Sequence, residues 1–274
     1  MVWLLNRPRN DKRWCLENRV LADARIDGDL VHIKDVRAFE YGEKKHDIRV
    51  AYENRTFDVR ELTSVDLFVE PFTLSKRLPN LGKAHTFLSF GFGDRYVSVS
   101  IEVRRQEGER YSPTKGLLNE YEIIYIVGTE RDVVKLRTNH RKNPVHLYPM
   151  RQGAPGLAQA MFRSVMERVH QLHDTPEFYH TFLNNCTTNL VEHLNTINPG
   201  KVPSSIAFLL PGFAGPLAYS IGLIDTTRSY EDTKAICRIN EQALAAADSP
   251  EFSQRIRERQ HLLRQQDTDD GYAK

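Results

Sequence analysis

Apolar positions along the chain change rhythm near Gly153. Before it they form short runs and loose alternations that predict strands. Leu30, His32 and Lys34 alternate loosely with Val31, Ile33 and Val36, and Val65 to Val69 reads as a buried strand closed by Glu70-Pro71. Residues 84–104 predict a hairpin, and 121–127, 133–137 and 145–148 predict further strands, the last ended by Pro149. After Gly153, Leu157, Met161, Val165, Val169 and Leu172 recur every three to four residues, which predicts an amphipathic helix over 155–173 stopped at Thr175-Pro176. A second helix is expected over 186–197, ended by Asn198-Pro199-Gly200. The stretch 200–225 is rich in Pro and Gly yet apolar, so it is expected to pack on the domain or line a lipophilic groove. A charged helix is expected from Thr233 toward Gln265, before a disordered tail. The fold class is therefore α+β, an antiparallel sheet packed by helices. Residues 1–28 are expected to be an irregular arm, 29–225 the domain, and 226–274 the charged helix and tail.

Charged residues make up 27% of the chain and apolar ones 40%, and the net charge is only +2. That balance gives no bulk attraction for nucleic acid, and aromatic residues do not alternate with basic ones along any strand. The basic runs at Arg104-Arg105 and Arg137 to Lys142 read as solvated faces. Glu130, Arg131 and Asp132 read as a structural charge cluster at a turn between strands. The three cysteines, Cys15, Cys186 and Cys237, fit neither a disulfide framework nor a Cys-x-x-Cys metal pattern. Glycine-rich phosphate loops, His-Glu-x-x-His and calcium loops are missing too, so no cofactor or metal is expected. No run reaches the ~20 apolar residues of a membrane helix. As written the chain has no export route and would be cytoplasmic, unless an upstream segment precedes it.

The strongest chemical signal is Asn184-Asn-Cys-Thr-Thr-Asn189. Asn184 and Asn185 are good N-cap residues, which sets Cys186 in the first turn of its helix. There the helix dipole favours thiolate over thiol, and unpaired N–H groups can stabilise an oxyanion, with Asn185 as a candidate to assist. A buried, merely packed cysteine is the competing reading. Of the ten histidines, His193 lies two turns along the same helix, about 10 Å away. Most others read as surface residues. His85 differs. A two-residue turn at Gly93-Asp94 sets it opposite Glu102 on the hairpin face that carries Phe87, Ser89, Ser98 and Ser100. The other face, with Leu88, Phe90, Val97, Val99 and Ile101, is a core face. A carboxylate opposite the imidazole would fix its tautomer, as in thiol and serine triads.

Ala84-His-Thr-Phe-Leu-Ser-Phe-Gly-Phe92, Glu102-Val-Arg-Arg105 with Gly108-Glu-Arg-Tyr-Ser112, Val127-Gly-Thr-Glu-Arg-Asp132, Leu136-Arg-Thr-Asn139 and the Asn-Cys stretch together resemble the DUF4105 family, also called the Lnb N-terminal periplasmic domain. The resemblance spans roughly residues 30 to 225. It implies a circularly permuted papain-like fold of the NlpC/P60 kind, with the histidine strand before the cysteine helix, and a place in the bacterial envelope. The best understood relatives are lipoprotein N-acyltransferases. Their histidine falls in a Gly-His-Thr stretch, matched by His85 with Ala84 in place of the glycine, and their cysteine in an Asn-Cys stretch, matched by Cys186. Glu102 has no such match, and the membrane-spanning part of those transferases is missing from this chain.

The expected function is a thiol acyl-transfer enzyme. Cys186 is the nucleophile, His85 the base and then acid, and Glu102 orients His85; Asn185 and Asn184 support the helix start. The 206–219 stretch is the candidate for holding an acyl chain. Expected partners are an acyl-bearing lipid, lipoprotein or peptide substrate, with a membrane surface possible. A thiol peptidase or amidase acting on cell-wall peptide, and a non-catalytic binding module, are the alternatives.

Overall fold

The computed structural model describes residues 6–42, 47–72, 84–151, 153–200, 202 and 211–260. Its centre is an eight-stranded sheet built from β1 (Asp23–Asp27), β2 (Leu30–Arg37), β5 (Tyr52–Asp58), β6 (Ser64–Pro71), β7 (Ala84–Phe92), β8 (Arg95–Arg104), β9 (Glu122–Gly128) and β10 (His146–Pro149). The order across it is β1-β2-β9-β8-β7-β6-β10, with β5 also paired to β2. All of these pairings are antiparallel except β2 with β9. A separate ribbon pairs β3 (Glu40–Tyr41) with β4 (Ile48–Arg49).

Strand alternation separates two faces, and helices cover both. On one, Leu88, Phe90, Val97, Val99, Ile101, Tyr125 and Val127 pack with Met161, Phe162, Val165 and Leu190. Those residues come from α3 (Leu157–Asp174) and α4 (Cys186–Ile197). Their burial matches the 3.6-residue apolar stripe that the sequence shows. On the other face, Phe68 and Phe87 pack with Val133, Val134, Ile239, Ala243 and Phe252. These lie on or beside α2 (Glu130–Lys135), α6 (Tyr230–Cys237), α7 (Asn240–Ala245) and α8 (Phe252–Arg255). Two short helices, α1 (Pro113–Leu117) and α5 (Ala214–Ser220), lie in the connections.

The hairpin turns at Gly93-Asp94, where Gly93 takes a φ of 65° that a side chain would disfavour. Its ladder pairs Phe92 with Arg95 and continues in step to Phe87 with Ser100. Two residues further along, that register sets His85 opposite Glu102.

Several expectations give way. Residues 133–137 are helical, not a strand. Thr129 caps α2 by accepting from the Asp132 N–H, and Glu130 and Asp132 sit in the first turn, where the dipole favours acids. A π-helical turn, Leu136–His140, follows. The single C-terminal helix is three short ones, interrupted at Arg238-Ile239 and before Pro250. The N-terminal stretch is not wholly irregular. It supplies β1, and Trp14, buried under the Arg104 guanidinium, bridges to Gln106. Arg104 and Arg137 are not on solvated faces; they are 3% and 1% exposed. The tail beyond residue 260 and residues 206–210 of the apolar stretch lie outside the described residues.

Candidate active site

The helix that carries Cys186 starts on a full capping box. The Asn185 side chain accepts from the N–H groups of Thr187 (2.8 Å) and Thr188 (3.0 Å), and the Thr188 hydroxyl accepts from the Asn185 N–H at 2.8 Å. The Asn185 amide also donates to the Thr181 carbonyl at 2.8 Å. The residue is 1% exposed, so its side chain works as a cap. The Cys186 N–H is not among those the cap takes. Asn184 donates to the Phe178 carbonyl and accepts from Asn189, each at 2.8 Å, tying the turn to the helix. Its role is likewise positional.

Cys186 is buried. Burial pushes its thiol up, but hydrogen bonding to His85, the charge of that imidazole and contacts with Thr86 outweigh it, and the thiol is lowered to about 7. The other two thiols go the opposite way. Burial pushes Cys15 up to about 11 and raises Cys237 further.

His85 and Glu102 share a face, yet they do not touch directly. The His85 Nε2 lies 3.8 Å from the Glu102 Oε1 and only 2.7 Å from the Ser100 hydroxyl. Ser100 in turn donates to Glu102 at 2.8 Å. If the Ser100 proton goes to the carboxylate, the hydroxyl accepts from the ring, which puts the imidazole proton on Nε2 and leaves Nδ1 bare. Ser100 thus bridges His85 and Glu102.

Arg137 holds this relay from behind. Its guanidinium donates to Glu102 (2.6 Å), Ser100 (3.0 Å) and Glu70 (2.9 Å), and stacks over Phe87. Glu70 stands opposite His85 across the β6–β7 ladder and also accepts from Asn143 at 2.6 Å. Burial alone would raise the Glu102 carboxyl; Arg137 first and His85 second hold it far below the usual carboxylate range. It stays ionised at any physiological pH.

Tyr111 and Tyr179 join the site from a third direction. Burial, then the charge of a Cys186 thiolate, pushes the Tyr179 phenol up, and the same thiolate charge also raises Tyr111. The backbone of residues 177–179 is laid against the start of β9, the Tyr179 N–H donating to the Tyr121 carbonyl at 2.9 Å.

The remaining histidines serve elsewhere. His193 lies between Ser164 (2.8 Å) and Tyr125 (3.1 Å), away from the thiol. It and His146 are buried, against the expectation of surface positions. A cavity of about 610 Å³, lined by Met150, Leu157, Met161, Leu194, Ile197 and Leu223, opens at the C-terminal end of α4. Ile197 lies eleven positions along the helix from Cys186, about 16 Å. Residues 211–219, the described part of the stretch expected to hold an acyl chain, do not line it.

A family model described as the Lnb N-terminal periplasmic domain matches residues 49–212. No curated protein and no solved structure matches the chain.

Proposed function

The chain belongs to the Lnb N-terminal periplasmic domain family, and from that premise we propose that it is a thiol-dependent acyl-transfer enzyme of the bacterial envelope. The observation that carries the reading is the hydrogen-bonded relay His85–Ser100–Glu102, whose strand meets the capped start of the cysteine helix at Thr86 and Thr187, 3.4 Å apart, where His85 lowers the Cys186 thiol. The succession of histidine strand and cysteine helix is also the order expected of a circularly permuted papain-like domain.

In the proposed reaction the Cys186 proton passes to the His85 Nδ1, and the sulfur forms a bond to the carbonyl carbon of an acyl ester. The carbonyl π electrons move to oxygen, and the Cys186 N–H stabilises that oxyanion. When the tetrahedral adduct collapses, the carbon–oxygen bond to the alcohol breaks, and the alcohol leaves with the proton held by His85. A thioester on Cys186 remains. An amine then attacks it, giving a proton to His85, and the thiolate leaves and recovers that proton. Ser100 and ionised Glu102 stabilise the imidazolium in both halves, and no cofactor is needed to balance either.

The test uses a chromogenic acyl ester and intact-mass spectrometry. The wild-type protein should gain one acyl group, labile to hydroxylamine and mapped to Cys186, and should pass it to an added amine. Cys186→Ser should show neither adduct nor turnover. Full activity in Cys186→Ser, or acylation mapped elsewhere, rejects the reading. Transfer to water alone, with cleavage of cell-wall peptide, assigns the site to hydrolysis instead.

A further inference from the structure

Ten large apolar side chains are exposed among the described residues, and half of them fall in two segments, 111–118 and 182–183, the second just ahead of Cys186. Tyr111, Leu117 and Leu118 lie in and around α1; Phe182 and Leu183 cap the turn that leads into Asn184, with Leu183 75% exposed. The two segments form one surface. The Thr181 N–H donates to the Gly116 carbonyl at 3.3 Å, and the Thr181 hydroxyl donates to the Pro113 carbonyl at 3.0 Å. We propose that these paired tips dock the protein on a lipid bilayer, inserting Leu117, Leu118, Phe182 and Leu183 at the boundary between headgroups and acyl chains.

Three observations favour a bilayer over a protein partner. The first is the backbone of the tip. The Phe182 and Leu183 N–H groups both donate to the His180 Nδ1, at 3.2 and 3.1 Å. A tip whose donors are satisfied internally can leave water at little cost, which an ordinary surface turn cannot. The second is area. The five side chains expose on the order of 500 Å², short of the ~800 Å² per partner that a stable protein interface buries. The third is charge. Behind the tips, Lys115 pairs with Glu109 (3.0 Å) and Glu120 (3.7 Å), so the rim is close to balanced. Apolar insertion, with leucine and aromatic side chains at the boundary, is the mode that fits.

The purpose of this surface rests on the acyl-transfer reading. Leu183 is three residues from the nucleophile, so a docked protein would present its thiol to acyl esters lying in the membrane. The docking itself is testable without that chemistry. The full chain should co-sediment with phosphatidylcholine vesicles, and high salt should not release it. Leu183→Asp and Leu118→Glu should each weaken partitioning roughly tenfold or more, while alkylation of Cys186 and turnover of a short water-soluble ester stay unchanged. A Leu183→Trp protein should shift its emission to the blue when vesicles are added. Absence of vesicle binding by the wild-type protein, equal binding by the aspartate and glutamate variants, or an unshifted tryptophan overturns the proposal. Self-association abolished by Leu183→Asp would assign the patch to a second copy of the chain instead. Loss of soluble-ester turnover in wild type with vesicle binding intact would reject the chemistry and leave the docking standing.

Discussion

At the scale of single residues, the reactive centre is a competition between burial and one imidazole. Burial makes a thiol harder to ionise, and His85 more than reverses that at Cys186. Alkylation by iodoacetamide should therefore follow a curve centred near pH 7 for Cys186, while Cys15 and Cys237 react slowly at neutral pH; peptide mapping distinguishes the three. In His85→Ala the Cys186 curve should move to higher pH, because burial then acts with less opposition. The relay makes a second expectation. His85→Ala should lower kcat by ~10²–10⁴, the usual worth of a general base. Ser100→Ala should cost less but still measurably alter the pH profile of kcat, since it removes the hydroxyl that links Nε2 to Glu102. The two losses should not add in the double variant. Cys186 and His85 were legible in the sequence from the Asn-Cys cap and the hairpin turn. Ser100 stood on the same face in that register, but nothing local shows that its hydroxyl reaches the ring before Glu102 does. Arg137 and Glu70 were out of reach, because their meeting needs three strands and a helix to be assembled first.

Among the elements, the cysteine helix is set by its start. Asn185→Ala removes an acceptor for two first-turn N–H groups and leaves the Thr181 carbonyl without its donor. The expected cost is about 1–2 kcal/mol, measured by urea denaturation. The thiol curve should broaden or shift as the first turn frays. The bounds of this helix were readable because both ends carry local chemistry, Asn185 at one and Asn198-Pro199-Gly200 at the other. Residues 133–137 were not, for a physical reason. Val133 and Val134 are buried whether the segment is a strand or a helix, so burial pattern cannot discriminate over so short a run. The useful signal was Thr129 followed by Glu130 and Asp132, which is a capped, acid-led helix start. The error also misplaced Arg137, which the π-helical turn carries inward to the relay.

For the molecule as a whole, both faces of the sheet are covered, including the one that looks polar in sequence. Ser89, Ser98 and Ser100 are fully buried there, with Asp66, Glu70, Glu130, Arg137 and Arg257. Sequence reading expects such residues at a surface, because their partners lie far along the chain: Arg257 meets Glu130 at 2.8 Å and Asp66 at 2.9 Å. The buried histidines give the fold a pH dependence. Burial, then nearby cations, lowers His146 and His193 to about 4, against 6.5 when free. The unfolded chain thus takes up their protons first, so stability falls as pH drops from 6.5 to about 4, by roughly 3 kcal/mol apiece, and these two groups add nothing below that. Denaturation midpoints measured across this range should show the slope, and His193→Gln should flatten it. The Arg257 pairings also put a clock on maturation. Asp66 and its partner are separated by 191 positions. At a synthesis rate of ~5–20 residues per second, the early carboxylate waits on the order of ten seconds or longer for its cation. Until Arg257 is made, the second face of the sheet cannot close around its Asp66–Arg257–Glu130 group, even though Cys186 and His85 are already in the chain.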